Sequence, residues 1–419
     1  MKNMKFTKRA LAAVLSAAMM TCAFAGCGDS AASSAAAASN AAAASGEAAA
    51  STAAATDGKV VKIGVYEPAS GDNGAGGKQE ALGIQYANKV QPTVEIGGET
   101  YTVQLDIVDN QSSTDKGPSA AQQLVSDGVS VVLGSYGSAV AIAAGDVFKN
   151  GKVPAIGVTC TNPQVTEGND YYFRICFLDP FQGTVLANFA YGDLSAKKAY
   201  CLSKQGDDYS AGVCNYFKEA FTKLGGEVVE EAFPDGNSDF TSYVTNAKSQ
   251  GCDVFFAPVS IEAAANIIKQ AQAQGLDIPM LASDTWDSNV VAEAAKGTNM
   301  NIYVTTFYQE GGSPEFDQGI KDYINSDSTA LANNGGNDQL AAVSAMGYDA
   351  YFTALEALKA AGTTDSEKVK EALPNVSYTG VTGTITFGEN GDANRSSAFI
   401  KKCNTETAAW ELVREQGVE

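Results

Sequence analysis

The chain has 419 residues, with 28 Lys and Arg against 48 Asp and Glu, no histidine, and a net charge of −20. So acidic a surface repels phosphate backbones, which excludes nucleic acid as a partner. Without histidine there is no Ser-His-Asp triad, no ordinary general base and no usual zinc ligand. No constellation of carboxylates or Ser-Lys pairs replaces them, so no enzymatic activity, cofactor or metal is expected.

In chain order, Lys2, Lys5, Lys8 and Arg9 precede a short stretch that is apolar or small apart from Ser16 and Thr21, closing on Ala25-Gly26-Cys27. A basic start, an apolar run too short to span a bilayer and small residues before a cut make an export signal over 1–26. The cysteine after the small pair resembles the lipobox of bacterial lipoproteins. That resemblance implies a diacylated Cys27 as the mature first residue, and two chains suffice for stable anchoring. The protein is therefore expected on the extracytoplasmic face of a cell membrane.

Residues 28–57 are almost entirely Ala and Ser and offer no side chain able to build a core, so 27–57 reads as a lipidated cysteine and a tether. As a coil this segment spans about 30 Å, as a helix about 45 Å. Without the four basic residues of the signal, the remainder carries 24 basic and 48 acidic residues. It is long enough for two domains and contains no run that could cross a membrane. Cys160, Cys176, Cys201, Cys214, Cys252 and Cys403 form no CxxC pair, and their spacing suits neither a metal knuckle nor a dense disulfide scaffold. Buried thiols are expected, with room for one disulfide.

From residue 59, β-rich runs alternate with amphipathic segments. Strands are predicted at Val60–Tyr66, Tyr101–Asp109, Ser130–Ser135, Val153–Val158, Ala199–Ser203, Glu227–Phe233, Asp253–Ala257 and Met280–Ala282. Helices are predicted near 76–90, 118–127, 138–149, 180–193, 209–224, 240–249, 261–274 and 287–296. Val131-Val132-Leu133 and Val254-Phe255-Phe256 are apolar without alternation, as strands covered on both faces are. Alternating βα units imply parallel sheets with helices on both sides, and there are too many units for one sheet of ordinary size. Leu340–Ala361 reads as one long helix, followed by strands at Thr382–Phe387, Ala398–Lys402 and Trp410–Val413. Two open α/β lobes leave a cleft at the carboxyl ends of their strands, where such sheets bind ligands.

Several pieces occur in an informative order. Gly134-Ser135-Tyr136-Gly137-Ser138 leads from a strand into a helix. Thr159-Cys160-Thr161-Asn162-Pro163 is followed by Tyr172-Phe173-Arg174 and then Asp179-Pro180-Phe181-Gln182-Gly183, and Ala282-Ser283-Asp284 closes a strand. From Ile63 to about Asp392 the chain resembles the branched-chain amino-acid binding proteins of ABC importers, with the type I periplasmic-binding fold. The resemblance implies two parallel-sheet α/β lobes joined by three crossovers, expected near 177–180, 304–308 and 378–382. Lobe 1 would comprise 58–178 and 305–380, and lobe 2 179–304 and 381–419. It further implies a monomer that closes on a small amino acid and presents it to permease subunits.

Ser138 opens a predicted helix, where a hydroxyl and free N–H groups hold a carboxylate without a cation. The resemblance gives it that role, against the plainer reading of a helix cap. Thr159 through its carbonyl and Thr161 through its hydroxyl and N–H are placed at the ligand in the same way, against a polar loop ending in a turn at Asn162-Pro163. Asp284 would meet the ligand ammonium, since an unpaired buried charge is costly; the family more often has Glu there. Tyr209 would lie over the ligand. Trp286 reads equally as pocket wall or as core. Ser260 stands where relatives carry a tyrosine, which weakens the case for a branched-chain preference.

The stretch Gly71-Asp72-Asn73-Gly74-Ala75-Gly76-Gly77-Lys78 fails as a Walker motif, because Asp72 replaces a required glycine and Gln79 a required Ser or Thr. It is expected to be a cleft loop. The competing functions on this fold are a sensory receptor and a binder of urea or short amides.

Overall fold

The computed structural model describes residues 58–417; the expected export signal, Cys27 and the whole Ala/Ser segment lie outside them. Two sheets carry the fold. The first is built from β1 (Lys59–Glu67), β2 (Thr93–Ile96), β3 (Glu99–Asp109), β4 (Val131–Leu133), β5 (Ala155–Gly157) and β6 (Tyr172–Arg174), in the order β2-β3-β1-β4-β5-β6. All its pairings are parallel except the β2–β3 hairpin. The second contains β7 (Lys198–Lys204), β8 (Glu227–Phe233), β9 (Val254–Phe256), β10 (Met280–Ala282) and β11 (Ile302–Thr306). Its antiparallel edge is formed by β14 (Ser397–Asn404) and β15 (Ala409–Gly417), giving the order β15-β14-β11-β10-β9-β7-β8. β12 (Ser377–Gly380) and β13 (Gly383–Thr386) form a separate hairpin.

The expected two-lobed α/β architecture is therefore present. The inner strands are fully buried, as their unbroken apolar runs require. Helices α1 (Gly74–Val90), α2 (Gly117–Asp127) and α3 (Ser138–Gly151) connect strands of the first sheet. The second sheet is served by α4 (Asp179–Asn188), α5 (Asp208–Lys223), α6 (Thr241–Ser249), α7 (Ile261–Ala273) and α8 (Asn289–Ala295). After β11 come α9 (Pro314–Ser326), α10 (Ser328–Asn333), α11 (Ala342–Ala361) and α12 (Ser366–Ala372). α9, α10 and α11 pack on α1 and so return the chain to the first lobe. The α1–α11 crossing is close: a Cβ on Gly83 would come within 1.9 Å of the Ser344 carbonyl oxygen, so only glycine fits.

The chain passes between the lobes after Arg174, after Thr306 and after Asn394. The last passage falls later than 378–382, because the β12–β13 hairpin stays against α11 and Asn394 still bonds Thr386. These passages hold one another. Phe177 and Phe307 stack at 4.2 Å between centroids, and Arg395 donates to the Ile175 carbonyl at 2.8 Å. Seven strands and helices were not anticipated from sequence: β2, β6, β11, β12, α9, α10 and α12. The six cysteines among the described residues are all buried free thiols, and no disulfide forms among them.

Candidate functional site

In each sheet the strand order reverses, between β1 and β4 in the first and between β7 and β9 in the second. Loops leaving the carboxyl ends of such strands diverge and open a crevice. The two crevices face each other across a cavity of about 420 Å³.

α3 supplies the first half of the site. Its cap, Gly137, adopts φ +106°, a conformation open to glycine and strained for other residues, and provides no capping side chain. The amides of the first turn are left without intrahelical partners, and Ser138, Ala139 and Val140 all line the cavity. Ser138 is thus inside the helix rather than its cap, and its Oγ accepts from the Asn162 amide at 3.1 Å. Thr159 also lines the cavity, and its hydroxyl donates to Glu80 Oε2 at 2.5 Å. Thr161 does not reach the cavity wall; it is fully buried, its carbonyl accepting from the Asp179 amide at 3.0 Å. Arg174, itself fully buried, fixes this loop by donating to the carbonyls of Cys160 at 3.0 Å and Asn162 at 2.5 Å.

The second half is centred on Asp284, which is 2 % exposed and opens on the cavity. Tyr209, at the start of α5, donates its hydroxyl to Asp284 Oδ1 at 2.7 Å and lies 2.5 Å from Ser283 Oγ. Burial pushes the Asp284 carboxyl up to about 6, against the opposing effect of the Tyr209 hydrogen bond. The buried cations are engaged elsewhere, Arg174 with Asp392 at 2.6 Å and Lys401 with Asp287 at 2.9 Å. Ser260 lines the cavity and caps α7 through Ala263 N at 3.4 Å. Trp286 is wholly buried in the second-lobe core, its indole N–H on the Val259 carbonyl at 3.2 Å, and contributes no cavity wall. The Gly71–Asn73 loop does line the cavity.

Sequence reasoning missed a layer of carboxyl groups beneath this surface. Glu67, ending β1, accepts from the Tyr136 amide at 2.6 Å. Burial and the neighbouring Glu80 raise its carboxyl well above the ordinary range, while burial brings Glu80 to about 7. Side by side and buried, both carboxyls hold a proton more tightly than an exposed acid does. Asp179, also pushed up to about 7 by burial, takes a 2.9 Å hydrogen bond from Gln182 Nε2. Gln182 Oε1 accepts from Thr305 at 3.2 Å and from the Asp284 amide at 3.5 Å. An acid inside an apolar run, as in Val65-Tyr66-Glu67-Pro68, was the signal available for Glu67.

The lobes touch directly around the cavity. Asn162 Nδ2 donates to the Asp208 carbonyl at 2.8 Å, and Gln79 Nε2 to Asn289 Oδ1 at 2.7 Å. The arrangement can enclose a small molecule between an anion-binding helix start and an unpaired carboxylate. Among the described residues there is no cluster of metal-ligating side chains.

A two-lobed α/β trap with its polar groups gathered on facing strand ends defines a solute-binding protein. The periplasmic binding protein family model matches residues 60–406, and the chain belongs to that family. A Leu/Ile/Val-binding protein homolog 1 of Brucella abortus is 29 % identical over 336 residues, covering 79 % of this chain and 87 % of the relative. The leucine binding protein LivK of Thermotoga maritima superposes with a TM-score of 0.75 at 31 % identity, over 85 % of this chain and 99 % of that one. LivJ of Streptococcus pneumoniae, solved with isoleucine, gives 0.73 at 26 % identity, over 86 % and 99 %. A Rhodopseudomonas palustris solute-binding protein in complex with benzoate gives 0.73 at 19 % identity, a likeness of fold.

Proposed function

We propose that this protein captures an α-amino acid by closure of its two lobes and delivers it to an ABC permease, and that binding, not catalysis, is its role. The observation that carries the reading is the pairing of opposite requirements across one cavity. The open first turn of α3, with Ser138, suits the ligand carboxylate. The Asp284 carboxylate suits the ammonium, and Thr159, which also lines the cavity, would offer its carbonyl as a second acceptor. Thr161, Gln182 and Asp179 act from behind, holding the loops that present these groups. The names of the relatives, which refer to leucine, isoleucine and valine, support an amino acid over urea or an amide.

Anchoring belongs to the same proposal. Among the described residues no helix is long and apolar enough to cross a membrane. Acylated Cys27 holds the protein to the extracytoplasmic face, with 28–57 as the tether and the two lobes dividing after Arg174, Thr306 and Asn394.

A thermal-shift screen of the chain against the common amino acids, urea and short amides tests the reading. A ligand at a hundred times its Kd stabilises the fold by about 2.7 kcal/mol. At least one amino acid should raise the Tm; a rise with urea or an amide and with no amino acid contradicts the proposal.

A further inference from the structure

We infer that the amino acid taken by this cleft has a side chain ending in N–H donors, such as a guanidinium, an ammonium or an amide, rather than a branched aliphatic one. The inference rests on the amino-acid reading above and concerns the wall beyond Ser138 and Asp284.

That wall comes from three polar loops: Gly71–Asn73 after β1, Gln111–Asp115 after β3, and Lys204–Asp207 after β7, with Asp235 beside them. No Leu, Ile, Met, Phe or Trp lines the cavity. Its larger apolar side chains are Tyr136, Val140 and Tyr209, which stand around the α3 start and Asp284; the other apolar surface is carbon of Ala139, of the glycines and of polar side chains such as Thr114, Thr159, Thr285 and Lys204. A branched aliphatic group would therefore press on hydroxyls, amides and carboxylates. It would strip their water and return no hydrogen bond.

Charge sharpens the choice. Asp72, Asp115, Asp207 and Asp235 line this part of the cavity, and Lys204 is the one cation among the described lining residues. Lys204 is committed to Asp72 at 2.5 Å and Asp235 at 2.6 Å. Asp207 caps α5 through Ser210 N at 2.9 Å and keeps acceptor capacity, as Asp115 does. The wall thus offers acceptors in excess and no free cation, which suits a donor-bearing side chain and rejects an anionic one.

Titration calorimetry of the full chain with arginine, lysine, glutamine, leucine, isoleucine, valine, glutamate and benzoate tests this. Arginine, lysine or glutamine should bind at least tenfold tighter than leucine, isoleucine or valine. Tightest binding of an aliphatic amino acid or of glutamate overturns the inference while leaving amino-acid capture standing. Binding of benzoate with no amino acid bound overturns both.

Discussion

Lys204, ending β7 of the second sheet, reaches across the cleft mouth to Asp72 of the first lobe, Nζ to Oδ2 at 2.5 Å. Partial burial works against its charge, yet the carboxylates of Asp235 and Asp72 outweigh that and raise its pKa above the ordinary lysine value. The Asp72 bond exists only while the lobes touch. Asp72 is about half exposed, at 46 %, so water screens the pair and its worth is about 0–1 kcal/mol. A Lys204→Met variant should fold normally and bind ligand no more than about fivefold more weakly. Calorimetry at low and high salt checks it: the difference from wild type should shrink as salt rises.

Asp284 should make binding depend on pH. Its carboxyl titrates at about 6, raised above 3.8 by burial. A raised acid binds its proton more tightly in the folded state, so its stabilising effect is present at low pH and is lost as pH rises through about 6. Asp179 and Glu80, both near 7, act in the same direction. The ligand-free protein should accordingly lose stability as pH rises from about 4, where these acids titrate in the unfolded chain, to about 7, above which the loss levels off. Affinity for an ammonium runs the opposite way, because Asp284 must be ionised. It should rise about tenfold per pH unit up to about 6 and then level off. Asp284→Asn should lower affinity by about 2–5 kcal/mol and flatten that limb. Calorimetry across the range, with circular dichroism as a check on folding, decides it.

Arg174 should matter to stability more than its distance from the cavity suggests. It is fully buried, ties the Cys160–Asn162 loop to Asp392, and so links the ligand loop to the third passage between lobes. Arg174→Met leaves the Cys160 carbonyl without a donor and removes the cation from Asp392, while the Asn162 carbonyl keeps the Val165 amide and Asp392 keeps the Thr166 hydroxyl. Asp392 keeps 22 % exposure and can recover some water, which places the loss near the lower end for a broken buried pair, about 3 kcal/mol. Urea denaturation measures it, and ligand affinity should fall in the same variant.

Much of this architecture was legible in the chain. The inner strands declared themselves by unbroken apolar runs, and Ser138, Thr159 and Asp284 stand at strand ends where such sheets place their ligands. β6 was missed because three residues carry no periodicity. α9 was overlooked although Pro314, an acidic first turn and Phe316, Ile320 and Ile324 at helical spacing marked it. The Glu67–Glu80 pair was hidden for another reason. One residue ends a strand and the other lies in the first helix, so only the turn between them brings the carboxyls together. Trp286 shows the limit of proximity in sequence: two residues from Asp284, it points into the core.

The proposed anchoring would rest on Cys27 rather than on a hydrophobic span. Cys27→Ser should move the protein from the membrane fraction to the soluble exported fraction or leave an uncleaved precursor. Fractionation with mass analysis of the mature N-terminus checks this, and wild-type protein found soluble and free of lipid contradicts it.

Closure is the central claim. Ser138 and Thr159 belong to the first lobe and Tyr209 and Asp284 to the second, so the proposed ligand contacts would be complete only when the lobes meet. The ligand must then favour the closed state by its differential affinity, with the three passages between lobes absorbing the motion. Small-angle scattering of the unacylated chain, with and without an amino acid shown by calorimetry to bind, is the most direct measurement. The account predicts a smaller radius of gyration at saturation; an unchanged radius with binding confirmed contradicts it.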